Sequence, residues 1–299
     1  MKKACIIATI LLIAGLAVSF GALAMVGFDF HKFGTVQFET NTYTADGAFD
    51  SIAIDEITGD ISFALSEDGA CRVVCHEPEK TAHTVEVADG TLKITSTRQK
   101  DWTGFLDLSF ETPTVTVYLP AKIYRTLSVQ TRTGDLDVPE WMQLESAGIT
   151  TDTGDVRCRA SVSGTLTVAT HTGDISLESM TADTIECTAT TGDIRMQSVA
   201  CAGNVSVKVS TGDVSFTDTT AKRISSKSST GDVRLHNSDA DEIVIHTSTG
   251  DISGTLRSGK TFTAHTATGD VNVPQSTAGG KCEITTSTGD IDIRITGGK

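Results

Sequence analysis

Residues 166–196 read LTVATHTGDISLESMTADTIECTATTGDIRM, and within them Thr172-Gly173-Asp174-Ile175 returns nineteen residues later as Thr191-Gly192-Asp193-Ile194. Outward from this pair, Thr-Gly-Asp followed by Val, Ile or Leu recurs with its glycine at Gly134, Gly154, Gly173, Gly192, Gly212, Gly231, Gly250, Gly269 and Gly289, at spacings of 19 or 20 residues. An ordinary globular sequence does not sustain nine copies at so constant a period, so the chain is a repeat architecture. Seven and five residues before each glycine, and two after it, the side chains are mostly apolar: Leu166, Val168 and Ile175 in one copy, Ile185, Cys187 and Ile194 in the next. Polar residues alternate with them at the period of a β-strand, so each copy is two short strands joined through Thr-Gly-Asp. One copy cannot bury its own apolar face; copies must stack, each strand pairing with its equivalent one coil away at ~4.8 Å. The expected fold is all-β, a single-stranded, β-helix-like β-solenoid of 19–20-residue coils, and nine coils make a rod of roughly 40 Å. The extra residue of the longer copies is expected in the polar arc opposite the turn, as at 179–183 or 276–281.

The turn itself has a local chemical reason. Glycine takes positive φ without penalty, an aspartate carboxylate accepts a backbone N–H in a turn, and β-branched threonines stack as hydroxyl ladders. The structural turn residues are therefore Gly134 and Asp135, Gly154 and Asp155, Gly173 and Asp174, Gly192 and Asp193, Gly212 and Asp213, Gly231 and Asp232, Gly250 and Asp251, Gly269 and Asp270, and Gly289 and Asp290. Carboxylates stacked at coil spacing repel one another unless compensated. Arg157, Arg195 and Arg234 stand two residues beyond their aspartates, on the same strand face, and are expected to reach the column. Calcium is the alternative, but calcium-binding β-rolls repeat every nine residues with denser glycine. The turn reading is preferred, and no metal ligand, cofactor or catalytic residue is assigned. Four residues before successive glycines come Lys208, Lys227, His246 and His265, an outward column expected to run as a basic stripe across four adjacent coils. It reads either as a solvated face or as a site for an anionic ligand such as an envelope polymer.

Lys and Arg together number 24 against 38 Asp and Glu, and the net charge of -14 lacks the basic footprint of a nucleic-acid binder. From Ala4 to Phe28 the chain is apolar without a charge, preceded by Lys2 and Lys3. Such a run can cross the ~30 Å hydrocarbon layer as a helix, and the positive-inside rule then places everything after it outside. A cleaved signal peptide is the competing reading, from Ala22-Leu23-Ala24; the uncleaved anchor is preferred because the run exceeds the roughly 7–15 residues of a signal core. The expected organisation is a cytoplasmic tip at 1–3, a transmembrane helix at 4–28, a juxtamembrane linker at 29–34, an irregular β cap at 35–125 and the solenoid at 126–299. This is a single-pass protein of the cell membrane with its C-terminal domain extracytoplasmic. The cap region holds strand-like runs at 51–54, 61–65, 71–76, 84–87, 91–97 and 114–119, a hairpin turn at Asp89-Gly90, and Trp102 and Phe105 in a loop-like stretch. No comparable cap follows Ile291, Ile293 and Ile295, so the distal coil is expected to accept a partner or a second copy. The cysteines outside the apolar run, Cys71, Cys75, Cys158, Cys187, Cys201 and Cys282, have no zinc or redox spacing and read as small buried hydrophobes.

These features together resemble the DUF4097 family of putative adhesins, in its membrane-anchored form. The resemblance rests on the apolar N-terminus, on Thr58-Gly59-Asp60-Ile61, on Tyr118-Leu119-Pro120 ahead of the repeats, and on the repeated Thr-Gly-Asp-Val/Ile. It implies a bacterial β-strand-repeat protein associated with attachment or with cell-envelope stress, and it brings no catalytic residues. The expected function is that of a non-enzymatic, membrane-anchored extracytoplasmic binding module or scaffold whose partner is an envelope protein or polymer. A calcium-stabilised surface scaffold is one alternative. A polysaccharide-acting β-helix enzyme is another, but its acid and base should break the repeat pattern, whereas the prominent acids here are the repeated ones. No Gly-x-Ser-x-Gly elbow, phosphate loop or His-Glu-x-x-His motif occurs.

Overall fold

A computed structural model describes residues 12–17, 20, 21, 24, 36–98, 111–275 and 278–296. Seven strands precede the regular repeats: β1 (Phe38–Ala45), β2 (Ser51–Thr58), β3 (Asp60–Leu65), β4 (Cys71–Pro78), β5 (Thr81–Ala88), β6 (Thr91–Arg98) and β7 (Thr114–Leu119). Through the repeats a long strand, ending at the motif threonine, alternates with a short one that begins two residues past the glycine. The first pairs are β8 (Ile123–Thr133) with β9 (Leu136–Val138), β10 (Gln143–Thr153) with β11 (Val156–Cys158), and β12 (Ser161–Thr172) with β13 (Ile175–Glu178). Next come β14 (Thr181–Thr191) with β15 (Ile194–Gln197), then β16 (Ala200–Cys201) and β17 (Asn204–Thr211) with β18 (Val214–Thr217). The remainder are β19 (Thr220–Thr230), β20 (Val233–His246), β21 (Ile252–Leu256), β22 (Lys260–Thr268), β23 (Val271–Asn272), β24 (Gly280–Thr288) and β25 (Ile291–Ile295). In β20 the short strand of one coil runs on into the long strand of the next.

The chain is an all-β solenoid. Long strands pair in parallel with long strands and short with short, in coil-on-coil register: Leu166 with Ile185, Ile185 with Val205, Val205 with Ile224, Ile224 with Ile243. The inward column of the short strands, Ile175, Ile194, Val214 and Val233, is buried against them. Alternation at period two thus fills the bore with one residue from each apolar position of the repeat.

The motif corner is where the coil allows no side chain at all. Gly192 has φ of 138°, and a Cβ placed there would stand 2.0 Å from the carbonyl oxygen of Gly173 in the coil beside it. Both the backbone conformation and the contact exclude any other residue. The close approach keeps the hydrogen-bond ladder unbroken through the corner, with Gly192 N–H donating to Thr211 O (3.0 Å) and Ile194 N–H to Asp213 O (2.9 Å). A second corner has positive φ at Ser179, Ser198, Asp218 and Asn237. The differences in copy length are taken up just beyond it: pairing shifts by one residue near Gly164 in β12 and between β16 and β17 near Gly203. These are β-bulges, both set against Asp183, at the end of the 179–183 arc that the spacing indicated.

Both ends depart from the simple stacking order. Gly59 stands in the glycine column, directly below Gly134. β2 pairs in parallel with β8 on one side and β6 on the other, and β3 with β9 and β7. Coils therefore begin at Ser51, and the expectation of an irregular cap up to residue 125 is corrected to two true coils plus a cover. The cover is antiparallel: β4 on β7, β1 on β4, and β5 on β6 through the Asp89-Gly90 turn. The repeat is hidden there because the chain leaves the rod after β3 and returns to its neighbouring position only at β8, so Asp60 and Asp135 are neighbours across 75 residues.

At the other end, β24 pairs with β20 and with β22, and β25 with β21 and with β23. The last coil in sequence is inserted between the coils of Gly250 and Gly269. Ile291 and Ile293 are accordingly buried, and the distal edge is formed by β22 and β23. The expectation that Ile291–Ile295 form the distal coil is corrected: spacing sets the length of a coil and says nothing of the order in which coils stack. Most of residues 4–28, together with Trp102 and Phe105, lie outside the described residues. No helix among the described residues is long and apolar enough to cross a membrane.

Candidate functional site

Three arrangements of polar side chains stand out, the first along the motif corner. From Asp60 up to Asp290 in the stacking order, each aspartate carboxylate accepts the backbone N–H of the aspartate in the adjoining coil, as in Asp155 N–H to Asp135 (2.8 Å), Asp174 to Asp155 (2.7 Å) and Asp193 to Asp174 (2.8 Å). The ladder follows the spatial order of the coils, with Asp290 donating to Asp251 and Asp270 to Asp290, both at 2.8 Å. The carboxylate is thus used between coils rather than within its own turn. Arg195 bridges Asp174 (2.7 Å) and Asp193 (2.6 Å), and Arg234 bridges Asp213 and Asp232 (both 2.6 Å). Arg234 holds the Asp213 carboxyl below its usual range. At Asp174 burial works the other way, yet Arg195 and the Asp193 N–H bring the net shift down as well. Arg157 does not join the column; it turns to Glu178 at 3.4 Å.

The second arrangement is the outward basic column of the long strands. Lys208 lies in register with Lys227, and Lys227 with His246, all three exposed. The residue next to His246 is Thr285 of the inserted coil, and His265 lies beyond it. The expected stripe across four adjacent coils is therefore corrected to three contiguous residues and an outlier, and the two histidines are not at coil spacing. Elsewhere on this face Arg223 pairs with Glu242 (2.5 Å) and Lys281 with Glu283 (2.8 Å). Among the described residues no carboxylate reaches ion-pair distance of Lys208 or Lys227, so the column keeps its charge for solvent or a ligand.

The third arrangement was not visible in the sequence. His83 of β5 lies between Glu56 of β2 and Glu77 of β4, with Nε2 at 2.7 Å from Glu56 and Nδ1 against Glu77. The side chains are 2%, 0% and 1% exposed for His83, Glu56 and Glu77. Glu56 also accepts the N–H groups of Ile57 (2.9 Å) and Thr58 (3.1 Å), and Glu77 accepts Asn41 Nδ2 (2.9 Å) and the Tyr43 hydroxyl (3.3 Å). Burial disfavours a charged imidazole, but the adjacent Cys75 sulfur and the Glu56 carboxylate outweigh it and push the His83 pKa up to about 11. Burial and Glu77 push the Tyr43 phenol up to about 12. An imidazolium held by two carboxylates, closed to solvent, ties β2, β4 and β5 together; it is a clamp with no access for a substrate. The one sequence signal was Glu56 three residues before Gly59, an inward position that is Thr131, Thr151 and Thr170 in the following coils.

Other chemistry-bearing residues are internally satisfied. Lys260, 3% exposed, pairs with Asp239 (2.5 Å) and donates to Ser258 (2.7 Å) in a cleft of about 220 Å³ that Thr220 and Asp241 also line. The described cysteines are buried and unpaired, and burial pushes Cys71 and Cys158 up to about 11 and Cys282 up to about 12. Among the described residues no three or more His, Cys, Asp or Glu are grouped as a metal site.

Among curated proteins none matches this chain in sequence. Solved structures do match its fold. It is similar to a putative lipid binding protein from Parabacteroides distasonis, with 17% identity and a TM-score of 0.53 over 87% of this chain and 98% of that one. A putative adhesin from the same organism matches at 14% identity and a TM-score of 0.53 over 87% and 98% of the two chains. A putative adhesin from Parabacteroides merdae matches at 13% identity and 0.51 over 86% and 97%. At these identities the likeness is one of fold, a solenoid of the same kind. The Toastrack DUF4097 profile matches residues 49–206 and 181–298, from the first coil to the inserted last one. By that match, which spans the Thr-Gly-Asp corners from Gly59 to Gly289, the chain belongs to the Toastrack DUF4097 family.

Proposed function

We propose that this protein is a non-enzymatic, membrane-anchored extracytoplasmic solenoid that presents its long-strand face to an anionic partner in the cell envelope. The observation that carries the reading is the Lys208–Lys227–His246 column, exposed and, among the described residues, without ion pairs, on a face where Arg223 and Lys281 are neutralised. Parallel stacking places Lys208 and Lys227 ~4.8 Å apart with His246 next in the column, a spacing suited to a polyanion with closely set charges. Membership of the Toastrack DUF4097 family, and a fold similar to that of a putative adhesin and a putative lipid binding protein, support a binding role over a catalytic one. So does the use of the repeated aspartates within the fold, all but the outermost Asp270 engaged by the N–H of the next coil. Anchoring rests on the uncharged run from Ala4 to Phe28 behind Lys2 and Lys3.

The test is capture of envelope polymer by the full chain and by a Lys208→Ser, Lys227→Ser, His246→Ser variant, with His265→Ser as control. Capture is expected to fall at least tenfold in the triple variant, to weaken steeply with salt, and to persist in the control. Equal capture by all forms would exclude this face as the site. Loss only on adding a calcium chelator would replace the reading with a metal-dependent one.

A further inference from the structure

The two ends of the rod differ in how they treat their outermost strands. At the N-terminal end the coils are covered by the antiparallel β1, β4 and β5, locked by the buried Glu56–His83–Glu77 clamp, and the outer strands bear the exposed Glu39 and Glu86. At the distal end nothing comparable is present among the described residues. Among the described residues β22 pairs only with β24, and β23 only with β25, so one side of each has no strand beside it.

Three observations say what this edge is suited to meet. First, the coil's apolar side chains are not covered: Val271 is 45% exposed, whereas Ile252 and Ile291 in the coils behind it are 0% and 1% exposed. Phe262 and Ala264 are likewise half-buried where Ile243 and Ile284 are buried. Second, between Lys260, which is buried against Asp239, and Asp270, the edge carries no Asp, Glu, Lys or Arg, in a chain of net charge -14. Solenoids and sheets ordinarily blunt such edges with Lys, Glu or a covering segment, and an unblunted one is a template for another strand. Third, β22 is rich in β-branched threonine, with Thr261, Thr263, Thr266 and Thr268, and no proline interrupts it.

From these we infer that the β22–β23 edge is a self-association surface, on which a second copy of this chain docks end to end. The two copies are related by a two-fold axis perpendicular to the rod, so that β22 pairs antiparallel with its own equivalent and β23 with its equivalent. A two-fold contact needs a self-complementary surface, and an edge whose 261–269 segment has no Asp, Glu, Lys or Arg, with Lys260 buried against Asp239, meets itself without repulsion. Head-to-tail stacking is disfavoured because the opposite end is covered by β1, β4 and β5. The bores of the two rods then close each other, burying Val271 and Phe262, and the long-strand faces align into one surface of twice the length. The contact consists of one strand edge on each of two faces, β22 and the two-residue β23, so the dimer is expected to be a reversible one. This inference is independent of the basic column and its ligand.

The test is the mass of the full chain in density-matched detergent by sedimentation equilibrium, over a hundredfold range of concentration. The wild type is expected to pass from monomer to dimer and stop there. Thr263→Lys with Ala267→Lys, changes at exposed outward positions that leave the bore intact, is expected to weaken dimerisation at least tenfold with an unchanged melting temperature. Should the double variant misfold, Val271→Lys at the exposed corner supplies the same comparison. A wild type that stays monomeric throughout, or a dimer that persists undiminished in a folded lysine variant, overturns the inference. Growth past the dimer into open-ended oligomers overturns the two-fold geometry and with it the proposal.

Discussion

Within single residues, the Glu56–His83–Glu77 clamp carries the largest energetic consequence. Removing one member of a buried ionic group leaves uncompensated charge, so His83→Gln is expected to cost about 3–5 kcal/mol of unfolding free energy. The pH dependence has a definite sign. His83 has a pKa of about 11 in the folded state against 6.5 when free, so its contribution is fully present below about pH 6.5 and is lost as pH rises toward 11. Denaturant titrations of wild type and variant at pH 6, 8 and 10 should show the stability gap between them shrinking as pH rises. A gap that does not change with pH would mean that the histidine is neutral in the folded state. The clamp escaped the sequence reading because its members lie at 56, 77 and 83, on three strands that only the antiparallel cover brings together.

Among the elements, β19 interrupts the apolar columns of the regular coils. Its inward positions hold Ser226 and Ser228, both buried, and neither hydroxyl has a hydrogen-bond partner. In register on either side of Ser226 are Val207 and Ile245. An unsatisfied buried hydroxyl costs roughly 1–3 kcal/mol, and a valine would restore the apolar column. Ser226→Val is therefore expected to stabilise the protein by about 1–2 kcal/mol, seen as a higher melting temperature by calorimetry; a lower one would show that the bore has no room for the added methyl groups. The strands themselves were legible in the sequence because burial on one face forces alternation at period two. β1 was missed, since its apolar residues Phe38, Tyr43 and Ala45 are only half-buried and follow no repeat.

For the whole molecule, the governing feature is the permuted order of coils at both ends. Because β24–β25 lies between the coils of Gly250 and Gly269, β22 has no strand to pair with until β24 is in place. A chain ending at residue 279 should leave β22 and β23 without a partner, while one ending at residue 257 should keep every remaining coil paired to its neighbour. In the longer product residues 260–272 are thus expected to be cut readily, whereas the shorter one resists up to its end, by limited proteolysis with mass spectrometry. Full protection of 260–272 in the 279-residue form would show that β22 can pair directly with β20. The same insertion splits the basic column with Thr285 and transfers the distal edge from Ile291–Ile295 to β22–β23.

The sequence by itself determined the repeating unit: coil length, strand pairing partners within the regular stretch, the inward and outward sides, and the glycine corner. Each of these follows from short-range sterics and from the need to bury an apolar face, which every copy meets in the same way. The tertiary structure alone decided which coil stacks on which, where the rod begins, what covers its first edge and what remains open at its last. Equivalent coils present nearly identical surfaces to one another, so their order is set by how the connecting segments step along the rod and by contacts such as the His83 clamp, between residues that are distant in the chain.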